Sequence, residues 1–65
     1  MTPTDLSHRI LDLLTHSPLS LHEITATLRG LADIEEVDHA LARLEQSGRV
    51  VYLSAVGLYT LGVNA

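Results

Sequence analysis

His22-Glu23 opens the pattern of a zinc-protease helix, where a second histidine one turn later completes a metal pair and the glutamate serves as base. Ala26 stands where that histidine would have to be. His8, His16 and His39 fall on other elements or faces, and a zinc site needs at least three convergent ligands. Asp33, Glu35, Glu36 and Asp38 form an acidic run without the glycine and terminal glutamate spacing of a calcium loop. Their physical role is to complement the positive end of a helix that begins beside them. The chain contains no G-x-S-x-G elbow, no glycine-rich phosphate loop and no nucleophile paired with a base, and so short a chain encloses no large pocket. The reading is a non-enzyme with no metal and no cofactor.

The cations point to a different chemistry. Arg29, Arg43 and Arg49 are of the type that clamps phosphates, and His39, Gln46 and Ser54 of the type that donates to base edges or backbone oxygens. Opposing them, the chain has four cationic side chains against eight carboxylates, a formal net charge of -4 with neutral histidines. A free-standing nucleic-acid binder carries a basic face, and neither the composition nor any local run supplies one. The four histidines would carry the net charge toward zero on acidification, since imidazole titrates near pH 6.5.

These residues must be positioned by a single domain spanning 1–65, because 65 residues leave no room for a second module and bury only about 60% of the unfolded chain's surface. Hydrophobic residues make up 46% of the chain, with no Phe or Trp, so the core must be aliphatic and closely packed. There is no cysteine, the first residues lack the basic-then-apolar order of a signal peptide, and no apolar run approaches the ~20 residues of a membrane span. The expectation is a cytoplasmic domain with no membrane partner.

Local signals divide the chain into three helices and a hairpin. Thr2-Pro3-Thr4-Asp5 supplies an N-cap, a proline at the first helical position and an early carboxylate. Leu6, Ile10, Leu13 and Leu14 form one stripe, widened by Leu11, to about His16, where Ser17-Pro18 stops the helix. Ser20 and Glu23 make an S-x-x-E capping box with Leu19 and Ile24 at the staple positions, starting a short second helix that buries Leu21, Ile24 and Leu28 and stops at Gly30. Asp33 to Glu36 repeats the cap, and Ile34, Val37, Leu41 and Leu44 carry a third stripe to Ser47-Gly48. Then the pattern changes to Val50-Val51-Tyr52-Leu53, a turn at Ser54-Ala55-Val56-Gly57, and a returning Leu58-Tyr59-Thr60-Leu61. Tyr52 and Tyr59 are expected to pack across this ribbon, and Leu19 to add a short extra pairing. The fold class is mainly α with a small β-hairpin, in the order ααα-ββ.

Those residues carry a family likeness. Ile10-Leu11-Asp12-Leu13-Leu14, Pro18-Leu19-Ser20-Leu21-His22-Glu23-Ile24, the spacing Val37-x3-Leu41-x2-Leu44-Glu45-x2-Gly48-Arg49-Val50, and Gly57-Leu58-Tyr59 resemble the winged helix-turn-helix superfamily over nearly the whole chain. The leucine-rich third helix ending in Gly and Arg, with a wing containing Gly-x-Tyr, is similar to the C-terminal winged-helix domain of the DNA-processing protein A family, and also to small bacterial repressors. Most matched positions are core, cap or turn residues. The resemblance implies that the third helix enters a DNA groove and the hairpin acts as the wing. His39, Arg43 and Gln46 would then face bases, with Arg29, Arg49 and Ser54 toward phosphates.

The departure lies in what these elements display. Arg43 is the one permanent cation on the outward face of the third helix, beside Glu35, Glu36, His39, Ala42 and Gln46, while phosphate neutralisation supplies most affinity for DNA. The wing turn has no Lys or Arg, and Val56 at its tip suits an apolar contact. Two functions therefore stand. One is a DNA-binding or DNA-processing module that depends on a larger protein or complex for positive charge. The other is a protein-interaction winged helix that docks a partner through Glu35, Glu36 and Asp38 or through Val56. Leu11 is readable either as a broadened core face or as the seam of a homodimer.

Overall fold

A computed structural model describes residues 2–64, so Met1 and Ala65, the ends of the expected domain, lie outside the described residues. The observed order is α1 Pro3–His16, α2 Leu21–Thr27, α3 Ile34–Gln46, then β1 Val50–Leu53 and β2 Leu58–Leu61. It is three helices followed by a small antiparallel hairpin, a winged-helix-like arrangement.

Each helix begins at the residue expected to cap it. Thr2 Oγ1 accepts from the Asp5 N–H at 3.1 Å, opening α1. Ser20 Oγ accepts from the Glu23 N–H at 3.1 Å while Glu23 Oε1 accepts from the Ser20 N–H at 2.9 Å, a reciprocal box at the start of α2. Asp33 and Glu36 do the same for α3, at 2.9 Å and 3.3 Å. Such caps satisfy backbone donors that have no intrahelical partner, each contributing about 1 kcal/mol. Ser17 is extended ahead of Pro18 and ends α1, as the ring of proline requires.

The helices close on an aliphatic centre. Leu6, Ile10 and Leu14 of α1 meet Ile24 of α2, then Leu28, and Val37, Ala40, Leu41 and Leu44 of α3, with Val50 and Tyr59 added by the hairpin. Ile10, Ile24, Val37 and Leu41 have no exposed surface. Leu11, Leu13 and Leu21 are half-buried against this cluster, so Leu11 broadens the core face of its helix. Ile34 corrects the expected third stripe. At 42% exposure, it stands on the first turn of α3, beyond the reach of the core, and Ala40 takes the buried place that the i, i+3, i+4, i+7 pattern from Val37 demands.

The hairpin pairs Val50 with Leu61, Val51 with Thr60, Tyr52 with Tyr59 and Leu53 with Leu58. Leu19 adds the extra pairing: its N–H donates to Tyr59 C=O at 3.0 Å and its C=O accepts from Tyr59 N–H at 2.7 Å. This single bridge ties the loop between α1 and α2 to the free side of β2.

The junction between α3 and β1 is held most tightly. Gly48 N–H donates to Glu45 C=O at 3.1 Å and Arg49 N–H to Leu44 C=O at 3.0 Å, the two bonds of a Schellman cap, and Gly48 takes the positive φ of 77° that this cap needs. The chain after β2 then returns to the same spot. Gly62 N–H donates to Arg49 C=O at 2.7 Å, Asn64 N–H to Gly48 C=O at 3.1 Å, and Asn64 Nδ2 to Ser47 C=O at 3.1 Å. A Cβ on Gly62 would be driven into the Gly48 carbonyl oxygen.

Two stability outcomes follow from this packing. A chain of this length has about 3–10 kcal/mol of total stability. Ile24→Ala should cost about 2–5 kcal/mol, a large part of that stability, whereas Ile24→Val should cost about 1 kcal/mol, both read from urea unfolding by circular dichroism. Gly62→Ala should lower Tm by roughly 5–15 °C, corresponding to about 1–2 kcal/mol. An unchanged Tm would mean that the return to Gly48 does not hold the α3–β1 junction.

Candidate nucleic-acid interface

Because α3 advances about 100° per residue, burial of Val37, Ala40, Leu41 and Leu44 leaves Glu35, His39, Ala42 and Gln46 pointing outward, all exposed. Arg43 and Glu36 fall on one flank, and Asp38 and Glu45 on the other. The first flank faces α1. There Glu35, Glu36, His39 and Arg43 line a cleft of about 370 Å³ with Leu6 and Ser7. One oxygen of Glu36 is already engaged by the Asp33 N–H, which makes this residue part of the helix cap.

The other flank faces the hairpin. Tyr52 and Tyr59 stack across the strands with ring centroids 4.8 Å apart at 48°. Burial, then the negative charge of Glu45 and of Asp38, then Tyr52, push the Tyr59 phenol above its usual value. The side of α3 nearest the hairpin is thus a region of negative potential, where an approaching phosphate would be repelled.

The cations are distributed unevenly. Arg43 from the last turn of α3, Arg49 from the start of the ribbon and His8 from α1 line one cleft of about 290 Å³, together with the hydroxyl residues Thr4, Ser7 and Ser47. Arg29 is elsewhere, at the corner between α2 and α3, in a cleft of about 400 Å³ that also contains His22 and Asp33. Of the six expected nucleic-acid contacts, the fold brings Arg43 and Arg49 together and puts His39 beside Arg43. Gln46 points outward, Arg29 is separate, and Ser54 is exposed in the hairpin turn. His8 is not legible in the sequence as a member of this group, because its approach to Arg49 depends on how α1 crosses the far end of α3. The four histidines lie on α1, α2 and α3, and no group of three or more metal-ligand residues is gathered among the described residues.

The alternative contacts are also on the surface: Glu35, Glu36, Asp38 and Val56 are exposed. Residues alternate between the two faces of a strand, so Val50 and Tyr52 turn toward the helices while Val51 and Leu53 turn away. Val51 and Leu53 are 43% and 39% exposed, and Val56 at the turn is 63% exposed. The outer face of the hairpin is consequently apolar and uncovered.

A raised phenol pKa means that the folded state holds its proton longer. The resulting stability is complete below the unfolded value of about 10 and is lost as pH rises through the folded value. Urea midpoints of the native chain and Tyr59→Phe should therefore diverge above about pH 10, the native chain losing more. A constant difference between pH 8 and pH 11 would show that neither burial nor the charges of Glu45 and Asp38 raise the Tyr59 phenol. Comparisons with family profiles, with curated proteins and with solved structures found no significant match to this chain.

Proposed function

We propose that the chain is a winged helix-turn-helix module that contacts DNA as an accessory part of a larger protein or complex engaged in DNA binding or processing. The observation that carries this reading is the presentation of α3. Capped at Asp33 and buried along one stripe, it leaves His39, Arg43 and Gln46 exposed on a helix joined to α2 by a short turn and followed directly by a hairpin. Gln and His suit base edges, and Arg suits either a guanine edge or a phosphate. The resemblance to the C-terminal winged-helix domain of the DNA-processing protein A family supports the same assignment.

With a formal charge of -4, the isolated chain would be a weak ligand, and the partner protein would supply further phosphate contacts and raise the effective concentration of this module at DNA. A second reading is favoured by a separate observation, the uncovered apolar face of Val51, Leu53 and Val56. In that reading the hairpin docks a protein, and the carboxylates of α3 select a basic one.

Fluorescence anisotropy of labelled duplex DNA over a salt series tests the DNA reading. Affinity should fall steeply with salt, with a slope near -0.9 per phosphate neutralised. Charge reversal at Glu35→Lys with Asp38→Lys, which leaves the Asp33–Glu36 cap intact, should strengthen DNA binding roughly two- to five-fold per charge. The same reversal would weaken docking of a basic protein. Absence of any duplex binding at low salt by both the native chain and this variant would reject DNA as the ligand.

A further inference from the structure

We infer that the cleft between the first half of α1 and the C-terminal end of α3 is a phosphate seat, built by Arg43, Arg49 and His8. This inference rests on the DNA reading for the source of the phosphate, a backbone phosphodiester. The chemistry of the seat itself is that of any phosphate ester.

Charge segregation points to it. With twice as many carboxylates as arginines in the chain, clefts that hold a cation should also hold an acid. Three other clefts do so: Arg43 with Glu35 and Glu36, Arg9 with Asp5 and Asp12, and Arg29 with Asp33. The cleft of Arg43, Arg49 and His8 is lined by no carboxylate among the described residues, and its remaining polar lining is Thr4, Ser7 and Ser47. Two arginines thus line a pocket of about 290 Å³, room for a phosphate group and several waters at ~30 Å³ each.

The backbone that carries Arg49 is held in place at the cleft. Arg49 is fixed through its backbone on both sides, by its N–H to Leu44 C=O at 3.0 Å and by its C=O from Gly62 N–H at 2.7 Å. Ser47 Oγ donates to Leu44 C=O at 2.9 Å, while Thr4 and Ser7 add two further hydroxyls to the lining. The carbonyl end of α3 opposes an anion with about half an elementary charge, against two full positive charges from Arg43 and Arg49. Arg43 also walls the neighbouring cleft of Glu35 and Glu36 and stands between the two. The seat directs a DNA backbone along the α1 flank of α3, away from the negative flank of Asp38 and Glu45 that faces the hairpin. In this placement Arg43 holds phosphate and not a base.

The test uses the full chain, labelled with ¹⁵N, titrated separately with inorganic phosphate and with duplex DNA, and compared with Arg43→Gln/Arg49→Gln and with Arg9→Gln. Arg9→Gln controls for loss of a cation outside the cleft, and the amide spectrum of each variant verifies its fold. The expected result is that both ligands shift the amides of His8, Ser47 and Arg49. The double variant should weaken duplex binding at least about tenfold and reduce the salt slope by about one for each phosphate no longer neutralised, while Arg9→Gln changes binding less than about threefold. Duplex binding by the double variant equal to that of Arg9→Gln would overturn the seat and leave the DNA reading standing. Phosphate shifts at these amides without duplex binding would support the seat, identify a free phosphate or nucleotide as its ligand, and reject the DNA reading. Titrations in which neither ligand moves these amides would overturn the inference.

Discussion

The burial of one stripe of α3 is the constraint on which the rest of this protein depends. Val37, Ala40, Leu41 and Leu44 pack against α1, α2 and β1 at once, and a chain of 65 residues has no other element that could close its centre. Side chains of this kind gain roughly 1.5–3 kcal/mol each when fully buried, far more than any exposed ion pair. Hydrophobic packing therefore decides how α3 is rotated, and the placement of its charges follows. With the stripe inward, Glu35, His39 and Gln46 must face solvent, Arg43 must face α1, and Asp38 and Glu45 must face the hairpin.

That rotation gives the surface of α3 two unlike sides. A net charge summed over the chain treats the protein as uniformly repellent to anions, but screening confines each charge to about 8–10 Å at ordinary ionic strength. Within that range, position matters more than total. On the hairpin side burial, and after it the negative charges of Glu45 and Asp38, raises the Tyr59 phenol above its usual value. On the α1 side, two of the four arginines converge with a histidine in a cleft lined by hydroxyls. A phosphate chain would follow the second side even though the molecule as a whole is anionic.

Many of the elements are legible without the fold, because their signals are local. The boxes Ser20–Glu23 and Asp33–Glu36 each join residues three apart. Pro18 acts on its immediate predecessor, and Gly48 answers the backbone geometry of a single cap. The Tyr52–Tyr59 pair is legible because a tight hairpin turn leaves few registers. The departures are of a different kind. Ile34 fits the period of α3 but not its core, since periodicity shows which face is apolar and not how far along the helix the core extends. Ala40 escapes the pattern because its side chain is too small to mark the stripe, although the close packing of α3 needs it there.

The sequence by itself determined the caps, the order of helices and strands, the aliphatic core and the excess of carboxylates, all of which depend on residue type and on neighbours within a turn or a hairpin. Only the tertiary structure decided that His8 and Arg49 share a cleft with Arg43, that Arg29 stands apart from them, and that the Gly62–Asn64 segment returns to clasp Gly48. The physical reason is that these arrangements depend on the crossing of α1 over α3 and on how far the hairpin carries the chain back. Both are set by the simultaneous packing of side chains distant in sequence, for which no local pattern exists.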